Sequence, residues 1–287
     1  MPSTPSPLRY PGGKTALFRL AQPLLVDNGL RKTTYAEPFA GGGGLALSLL
    51  FEGVVRRIVL NDIDAGIYSL WDAMLNSTDE LVKLITDTPV TMDEWFQQRE
   101  NYRAMKNTPS LELAFATLFL NRTNRSGVIK GGVIGGVDQA GAYKLDCRFQ
   151  KNVIIEKIER IARYRNSIAI TREDGQDFLR GMSERTDRVV HFIDPPYYGK
   201  GSGLYTSFYT PDDHADLANV VRGLEQPWVL TYDLVPQIQA LYQGFPQHAF
   251  DLNYTAAVKR VGTELMVTSP DISVGGIERL RAAPEAA

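Results

Sequence analysis

The chain has 287 residues, 44% hydrophobic and 22% charged, with 31 Lys and Arg against 33 Asp and Glu for a formal charge of −2. That composition is ordinary for one large α/β domain or a domain with an insertion, and it counts against a uniformly basic nucleic-acid-binding module, although local patches set the field that a phosphate feels. The single Cys147 excludes an intrachain disulfide and a cysteine-based zinc site; the N-terminus lacks signal-peptide character, and no apolar run is long enough to span a membrane, so a cytoplasmic protein is expected.

After a proline-rich start, Leu8-Arg9-Tyr10-Pro11-Gly12-Gly13-Lys14-Thr15 leads into a helical stretch reaching about Leu25. This is not a P-loop, which needs a preceding strand and a glycine at position 8, where Leu stands. The two glycines let the backbone approach a ligand closely, with Tyr10 and Lys14 at its edge; a simple turn is the equal alternative. Thr33 to Phe39 predicts a short strand running into Ala40–Gly44, and an apolar helix follows from Leu45 to Phe51. Arg57 to Leu60 predicts a second strand ending at Asn61-Asp62-Ile63-Asp64. Strand, glycine loop and helix form the first unit of a nucleotide-binding sheet. Asp62 stands 20 positions after Gly42, the spacing at which an acid reaches a ribose hydroxyl pair. Together these point to an adenosine-containing ligand.

From Ala65 to about Leu120 the apolar spacing is helical, through Ile67, Leu70, Trp71 and Met74, then Leu81 and Ile85, Trp95 to Met105, and Leu111 to Leu120. No strand is evident for roughly a hundred residues, far more than a connection takes. Residues 65–164 therefore read as a lobe inserted between 1–64 and 165–287. Its distal part gathers Arg122, Arg125, Lys130, Lys144, Arg148 and Lys151 within 30 positions, mixed with Asn121, Asn124 and glycines. Arg and Asn read base edges bidentately, and Lys and Arg neutralise phosphates. Asn121, Arg122, Asn124, Arg125, Lys130 and Lys144 are thus DNA-contact candidates, against the alternative of a solvated loop.

A helix from Ile154 to Tyr164 and a strand from Ser167 to Thr171 lead to Asp174, a second acid placed to meet the ligand's base. The run Val-Val-His-Phe-Ile predicts a strand ending at Asp194-Pro195-Pro196-Tyr197. Each proline fixes φ and removes an N–H donor, so a carboxylate, outward carbonyls and a ring share one stiff loop. That combination grips a planar group bearing an NH2; a rigid turn is the bland alternative. Gly199, Gly201 and Gly203 follow, with Tyr205, Phe208 and Tyr209 as aromatic surface. A helix from Asp212 to Gly223, a strand from Trp228 to Tyr232 and a short helix from Val235 to Tyr242 come next. Ala249–Tyr254 and Glu264–Thr268 predict the closing strands, and the tail from Arg281 reads as frayed. His191 is expected as a hydrogen-bonded core residue and His214 as solvated.

Taken in order, Arg-Tyr-Pro-Gly-Gly-Lys (9–14), Glu-Pro-Phe-Ala-Gly-Gly-Gly (37–43), Asn-Asp-Ile (61–63), Phe-Leu-Asn-Arg (119–122) and Asp-Pro-Pro-Tyr (194–197) resemble the Dam-like class of DNA adenine methyltransferases across nearly the whole chain. The resemblance implies an α/β fold: a Rossmann-like SAM-dependent methyltransferase sheet with helices on both faces, and 65–164 as a mainly helical target-recognition lobe. It implies S-adenosylmethionine (SAM) as methyl donor, S-adenosylhomocysteine as product, no metal, and the N6 amino group of adenine in double-stranded DNA as acceptor. Tyr10, Lys14, Glu37, Phe39, Gly41, Gly43, Asp62, Ile63 and Asp194 would line the donor site, joined by Asp174.

Adenine's amino nitrogen is a poor nucleophile because its lone pair is delocalised into the ring. Asp194 and the Pro195 carbonyl would each accept one of its N–H bonds while Tyr197 stacks on the base, which pyramidalises the nitrogen and aims its lone pair at the methyl group. Pro196 stiffens the loop, and the base must leave the duplex to reach it. The same grip would suit the N4 amine of cytosine, and a catalytically silent DNA-binding homologue is the reading from another class. GATC-reading members tend to carry an aromatic and an arginine where Arg125 and Lys130 stand here, which leaves the target sequence open. A monomer or weak dimer is expected, with mismatch marking, restriction-modification and phage defence all open as its role.

Overall fold

The computed structural model describes residues 4–9, 17–199, 209–254, 260–275, 277 and 280–284. Five strands run parallel: β1 (Thr34–Glu37), β2 (Arg57–Asn61), β3 (Ile168–Thr171), β4 (Val189–Ile193) and β5 (Trp228–Asp233). They lie in the order β3-β2-β1-β4-β5. β6 (Gln247–Tyr254) and β7 (Arg260–Thr268) form an antiparallel pair, with β7 seated against β5 and β6 outside it. The sheet therefore turns from parallel to antiparallel at β7. Strand order reverses between β1 and β4, and at such a switch point the loops leaving neighbouring strands diverge and open a crevice.

The central strands β1 and β4 are buried throughout because both faces are covered. Pleating sends Tyr35, Ile58, Leu60, Val190 and Phe192 to one side, where α1 (Phe18–Asp27) and α2 (Gly44–Phe51) pack. The alternate residues Ile193, Leu230 and Leu265 meet α9 (Pro211–Arg222) and α10 (Pro236–Leu241), and Ala36, Val59 and Val189 meet α8 (Gly175–Ser183).

Between β2 and β3 the chain makes α3 (Ala65–Asn76), α4 (Thr78–Asp87), α5 (Met92–Met105), α6 (Leu111–Thr123) and α7 (Lys151–Arg163). The starts of α3, α5 and α6 are set by short polar side chains: Asp64 accepts from the amides of Gly66 and Ile67, Thr91 from Glu94, and Ser110 from Leu113. Every residue of α6 from Leu113 to Asn121 is buried, since α3 and α5 pack on it from either side. The apolar cluster under these helices is continuous with the one beneath β1, β2 and β4. Among the described residues no helix is long and apolar enough to cross a membrane.

Three readings are revised. Helix α8 is missing from the sequence-based description, where Gly175 interrupts the apolar pattern. The tail is not frayed at Arg281–Ala282: β8 (Arg281–Ala282) pairs with Ala249 and His248, and Arg281 Nη2 lies 2.8 Å from Asp251 Oδ1. His214 is 1% exposed rather than solvated, because α9 turns it onto the sheet, where its Nδ1 lies 2.7 Å from the Tyr232 hydroxyl. His191 is a core residue as expected, with Nε2 at 2.8 Å from Gln226 Oε1, and burial pushes its pKa down to about 4.

Candidate active site

The carboxyl ends of β1, β2, β3 and β4 bring Glu37, Asp62, Asp174 and Asp194 to one rim at the switch point. Their spacing depends on Asn61, the last residue of β2 and fully buried. Its Nδ2 donates to Pro38 O and Glu173 O, both at 3.0 Å, while Oδ1 accepts from Thr171 Oγ1 and the Glu173 amide, both at 2.9 Å. One side chain thus ties the loop after β1 to the loop after β3. Asn61 belongs to the Asn-Asp-Ile motif, and nothing in the sequence signals this bridging role.

The glycine loop is shaped by Asp62 and Trp71. Gly41 N donates to Asp62 Oδ2 at 2.8 Å, and the amide of Asp64 donates to Oδ1 at 3.0 Å. Trp71 Nε1, on α3, donates to Gly41 O at 2.9 Å. Gly43 has φ +55°, and a Cβ there would lie 2.6 Å from Trp71 Cζ2, so this position requires glycine on both counts. Ile63 is 49% exposed beside Asp62. Phe39 is half-buried; its ring meets Tyr209 edge-on at 5.8 Å and closes on Gly175, where a Cβ would lie 2.6 Å from Cζ. Asp174 caps α8 through Oδ1, which accepts from Gln176 N at 2.8 Å.

Past β4 the chain is held from three sides. Thr231 Oγ1, on β5, donates to Asp194 Oδ1 at 2.8 Å. The Tyr197 hydroxyl donates to Glu264 on β7, a residue 2% exposed. The carboxylate of Asp233 accepts from the amides of Tyr198 (3.0 Å) and Gly199 (2.9 Å). Pro195 is buried and Pro196 half-buried, so the turn is rigid by covalent geometry and by anchoring. The Tyr198 ring lies 5.1 Å from that of His214. Glu37 Oε1 accepts from the Tyr35 hydroxyl at 2.8 Å; burial, then Glu37 and Asp194, drives the Tyr35 phenol well above its ordinary pKa. That coupling puts Glu37 and Asp194 in one electrostatic neighbourhood. Thr231 and Asp233 escaped the sequence reading, although both close a strand that it identified.

The inserted lobe separates the DNA-contact candidates into two groups. Asn121 is 1% exposed: Oδ1 accepts from Arg9 N (2.8 Å), and Nδ2 donates to Arg9 O (2.9 Å) and Gly127 O (2.8 Å). Asn124 is fully buried, accepting from Trp95 Nε1 at 2.7 Å and donating to Val128 O and Ile129 O. With those bonds in place neither amide is free to read a base. Arg122 is half-buried, and its Nη1 donates to Pro7 O at 3.3 Å. Arg125, Lys130 and Lys144 are exposed. Tyr10 and Lys14, together with Tyr205 and Phe208, lie outside the described residues.

The family model of D12 class N6 adenine-specific DNA methyltransferases matches residues 10–256. The chain is 24% identical over 246 residues to the type II methyltransferase M.MjaIII of Methanocaldococcus jannaschii, covering 76% of this chain and 80% of that one. Among solved structures, an RNA methyltransferase candidate from Pyrococcus horikoshii superposes with a TM-score of 0.40 at 10% identity, covering 91% of this chain and 84% of the other. TrmN from Thermus thermophilus gives 0.39 at 12% identity, covering 86% of this chain and 47% of the other.

Proposed function

We propose, for a chain that belongs to the D12 class of N6 adenine-specific DNA methyltransferases, that the crevice between the ends of β1 and β4 holds SAM and that Asp194–Tyr197 receives an adenine flipped out of double-stranded DNA. The activity itself is methylation of adenine N6 in DNA. Three part-exposed carboxylates on one rim, Asp62, Asp174 and Asp194, with Glu37 fully buried at the end of β1, suit a ligand that offers hydroxyl, amino and ammonium donors and a positive sulfur, so the residues present fit this cofactor. Asp62 would accept from the ribose hydroxyls, Asp174 from the adenine amino group with Phe39 and Ile63 against the ring, and the Gly41–Gly43 backbone would lie under the methionine part. Bound there, SAM supplies a methyl group on a sulfonium sulfur.

The observation that carries the reading is the fixed carboxylate of Asp194, held at 2.8 Å by Thr231 at the strand-order switch. Asp194 and the Pro195 carbonyl accept the two N–H bonds of adenine's amino group and orient its lone pair. Transfer would exchange the carbon–sulfur bond for an N6–carbon bond and release S-adenosylhomocysteine, with the extra N6 proton passing to the Asp194 carboxylate and on to water. Preorganised acceptors of this kind need no rearrangement during reaction. Tyr197, tethered through its hydroxyl to Glu264, offers its ring to the base. Of the DNA-contact candidates on the inserted lobe, Arg125, Lys130 and Lys144 are the exposed ones and would meet the duplex.

The test is incubation with methyl-labelled SAM and DNA, followed by digestion to nucleosides. Label in N6-methyl-2′-deoxyadenosine from the wild type and none from Asp194→Ala supports the reading. Label in deoxycytidine, or near-wild-type transfer by the variant, refutes it.

A further inference from the structure

Three cations from separate parts of the chain, Arg122, Arg148 and Lys157, converge on the buried segment Ser6–Leu8 and on a fourth, Arg9, which follows it. Arg122, near the end of α6, donates from Nη1 to Pro7 O, and Lys157, on α7, donates from Nζ to Ser6 O, both at 3.3 Å. Arg9 reaches across the lobe, its Nη1 donating to Asn124 O at 3.0 Å. Arg148, in the turn Leu145–Arg148, lies in the electrostatic reach of both Arg9 and Arg122. Burial first, then Arg9 and Arg148, depresses the Arg122 pKa to about 10, so its guanidinium stays charged at neutral pH. Lys157 is lowered by burial and by Arg122, with Glu156 opposing.

None of the four makes a salt bridge among the described residues. Arg122 Nε is buried without a hydrogen-bond partner. In a chain with net charge −2, carboxylates were available to neutralise such a cluster. Like charges brought together and partly desolvated raise the energy of the free protein, and an external anion with several acceptor oxygens removes that penalty. The cluster also sits at the root of the loop carrying Arg125 and Lys130. Gly127, with φ +77°, packs so closely on the Arg9 backbone that a Cβ there would collide with Arg9 O.

We propose that Arg9, Arg122, Arg148 and Lys157 form a phosphate site that takes one phosphodiester of the DNA backbone and fixes the register of the duplex on the inserted lobe. This rests on reading that lobe as the DNA face. It differs from the base-reading role of Arg125 and Lys130, because a phosphate contact positions the duplex without sequence information.

The experiment uses full-length protein and duplexes in which single phosphates are replaced by neutral methylphosphonates. Wild type should lose about tenfold in affinity at one backbone position. The Arg148→Gln/Lys157→Gln variant should bind unmodified DNA about tenfold more weakly and show no further loss at that position. Its salt dependence should be shallower by about one in the log–log slope, with the methylated sequence unchanged. Its melting temperature should not fall, since repulsion is relieved. An unchanged methylphosphonate profile, or a lower melting temperature with unaltered DNA binding, overturns the site in favour of a structural role. Stabilisation of wild type by inorganic phosphate with no methylphosphonate-sensitive position also overturns it, leaving a free-anion site. Failure of the lobe as DNA face reads differently: wild type would then be insensitive throughout, and Arg125→Ala/Lys130→Ala would bind DNA normally.

Discussion

Replacing Asn61 by Ala removes four hydrogen bonds at 2.9–3.0 Å and leaves Pro38 O and both backbone groups of Glu173 without their partners. A buried group left unsatisfied costs about 1–3 kcal/mol. Glu173 is exposed and recovers some solvation from water, whereas Pro38 is buried. The sum is about 3–5 kcal/mol, a large part of a typical domain's stability. At about 2–4 °C per kcal/mol, the melting temperature should fall by about 10 °C. The damage is local to the rim, since the freed loops carry Phe39–Gly43 and Asp174. Affinity for S-adenosylhomocysteine, measured by calorimetry well below the melting point, should therefore fall more than tenfold. Asn61→Asp keeps the acceptor, loses both donors when ionised and regains one as an O–H when protonated, so at acidic pH it should lie between Ala and wild type in melting temperature. An Asn61→Ala protein that melts within about 2 °C of wild type and binds the product normally would refute this account of the rim.

Gly43→Ala should weaken cofactor binding sharply, because the added methyl collides with Trp71 at a left-handed backbone position; unchanged affinity would mean that Trp71 relocates freely. His191 titrates at about 4 in the folded chain against 6.5 ordinarily, so the unfolded chain takes up the proton first as pH falls. Its contribution is fully present above about pH 6.5 and is lost toward pH 4, amounting to about 3 kcal/mol. His191→Gln should flatten that part of the stability–pH curve, and an unchanged slope in denaturant titrations would contradict it. Arg125→Ala with Lys130→Ala should weaken DNA binding, lower its salt dependence and relax sequence preference without altering cofactor affinity; modified-base sequencing and anisotropy would register all of these.

The parallel part of the sheet was legible because each strand announces itself twice, by a β-branched run and by the acid or glycine that ends it. Thr34–Glu37, Arg57–Asn61 and Val189–Ile193 all follow that pattern. Helix α8 was not, since its first residue is a glycine whose purpose is to admit the Phe39 ring, a contact 136 positions distant in sequence. His214 was misjudged for the same reason: a histidine at a helix start is usually wet, and only the packing of α9 on Tyr232 buries it. Among the polar residues near the Asn-Arg pair, composition could not separate Asn121 and Asn124, which bind backbone internally, from the exposed Arg125 and Lys130. Asparagine serves either purpose equally well; the choice is made for Asn121 by the chain segment around Arg9, more than a hundred residues away, and for Asn124 by Trp95 and the carbonyls of Val128 and Ile129.

The helices between β2 and β3 share one apolar interior with the sheet, which bears on how target specificity could be exchanged between enzymes of this kind. Transplanting residues 65–164 as a block would cut through that interior and expose leucines and aromatics on both pieces. The graftable unit is smaller. The segment from Arg125 to Lys144 leaves and re-enters the lobe beside Asn124 and Leu145, both buried, and presents its charged side chains outward. A chimaera with those two anchors retained, together with Asn121, Gly127 and the core residue Val133, should keep its melting behaviour while acquiring the donor's sequence preference.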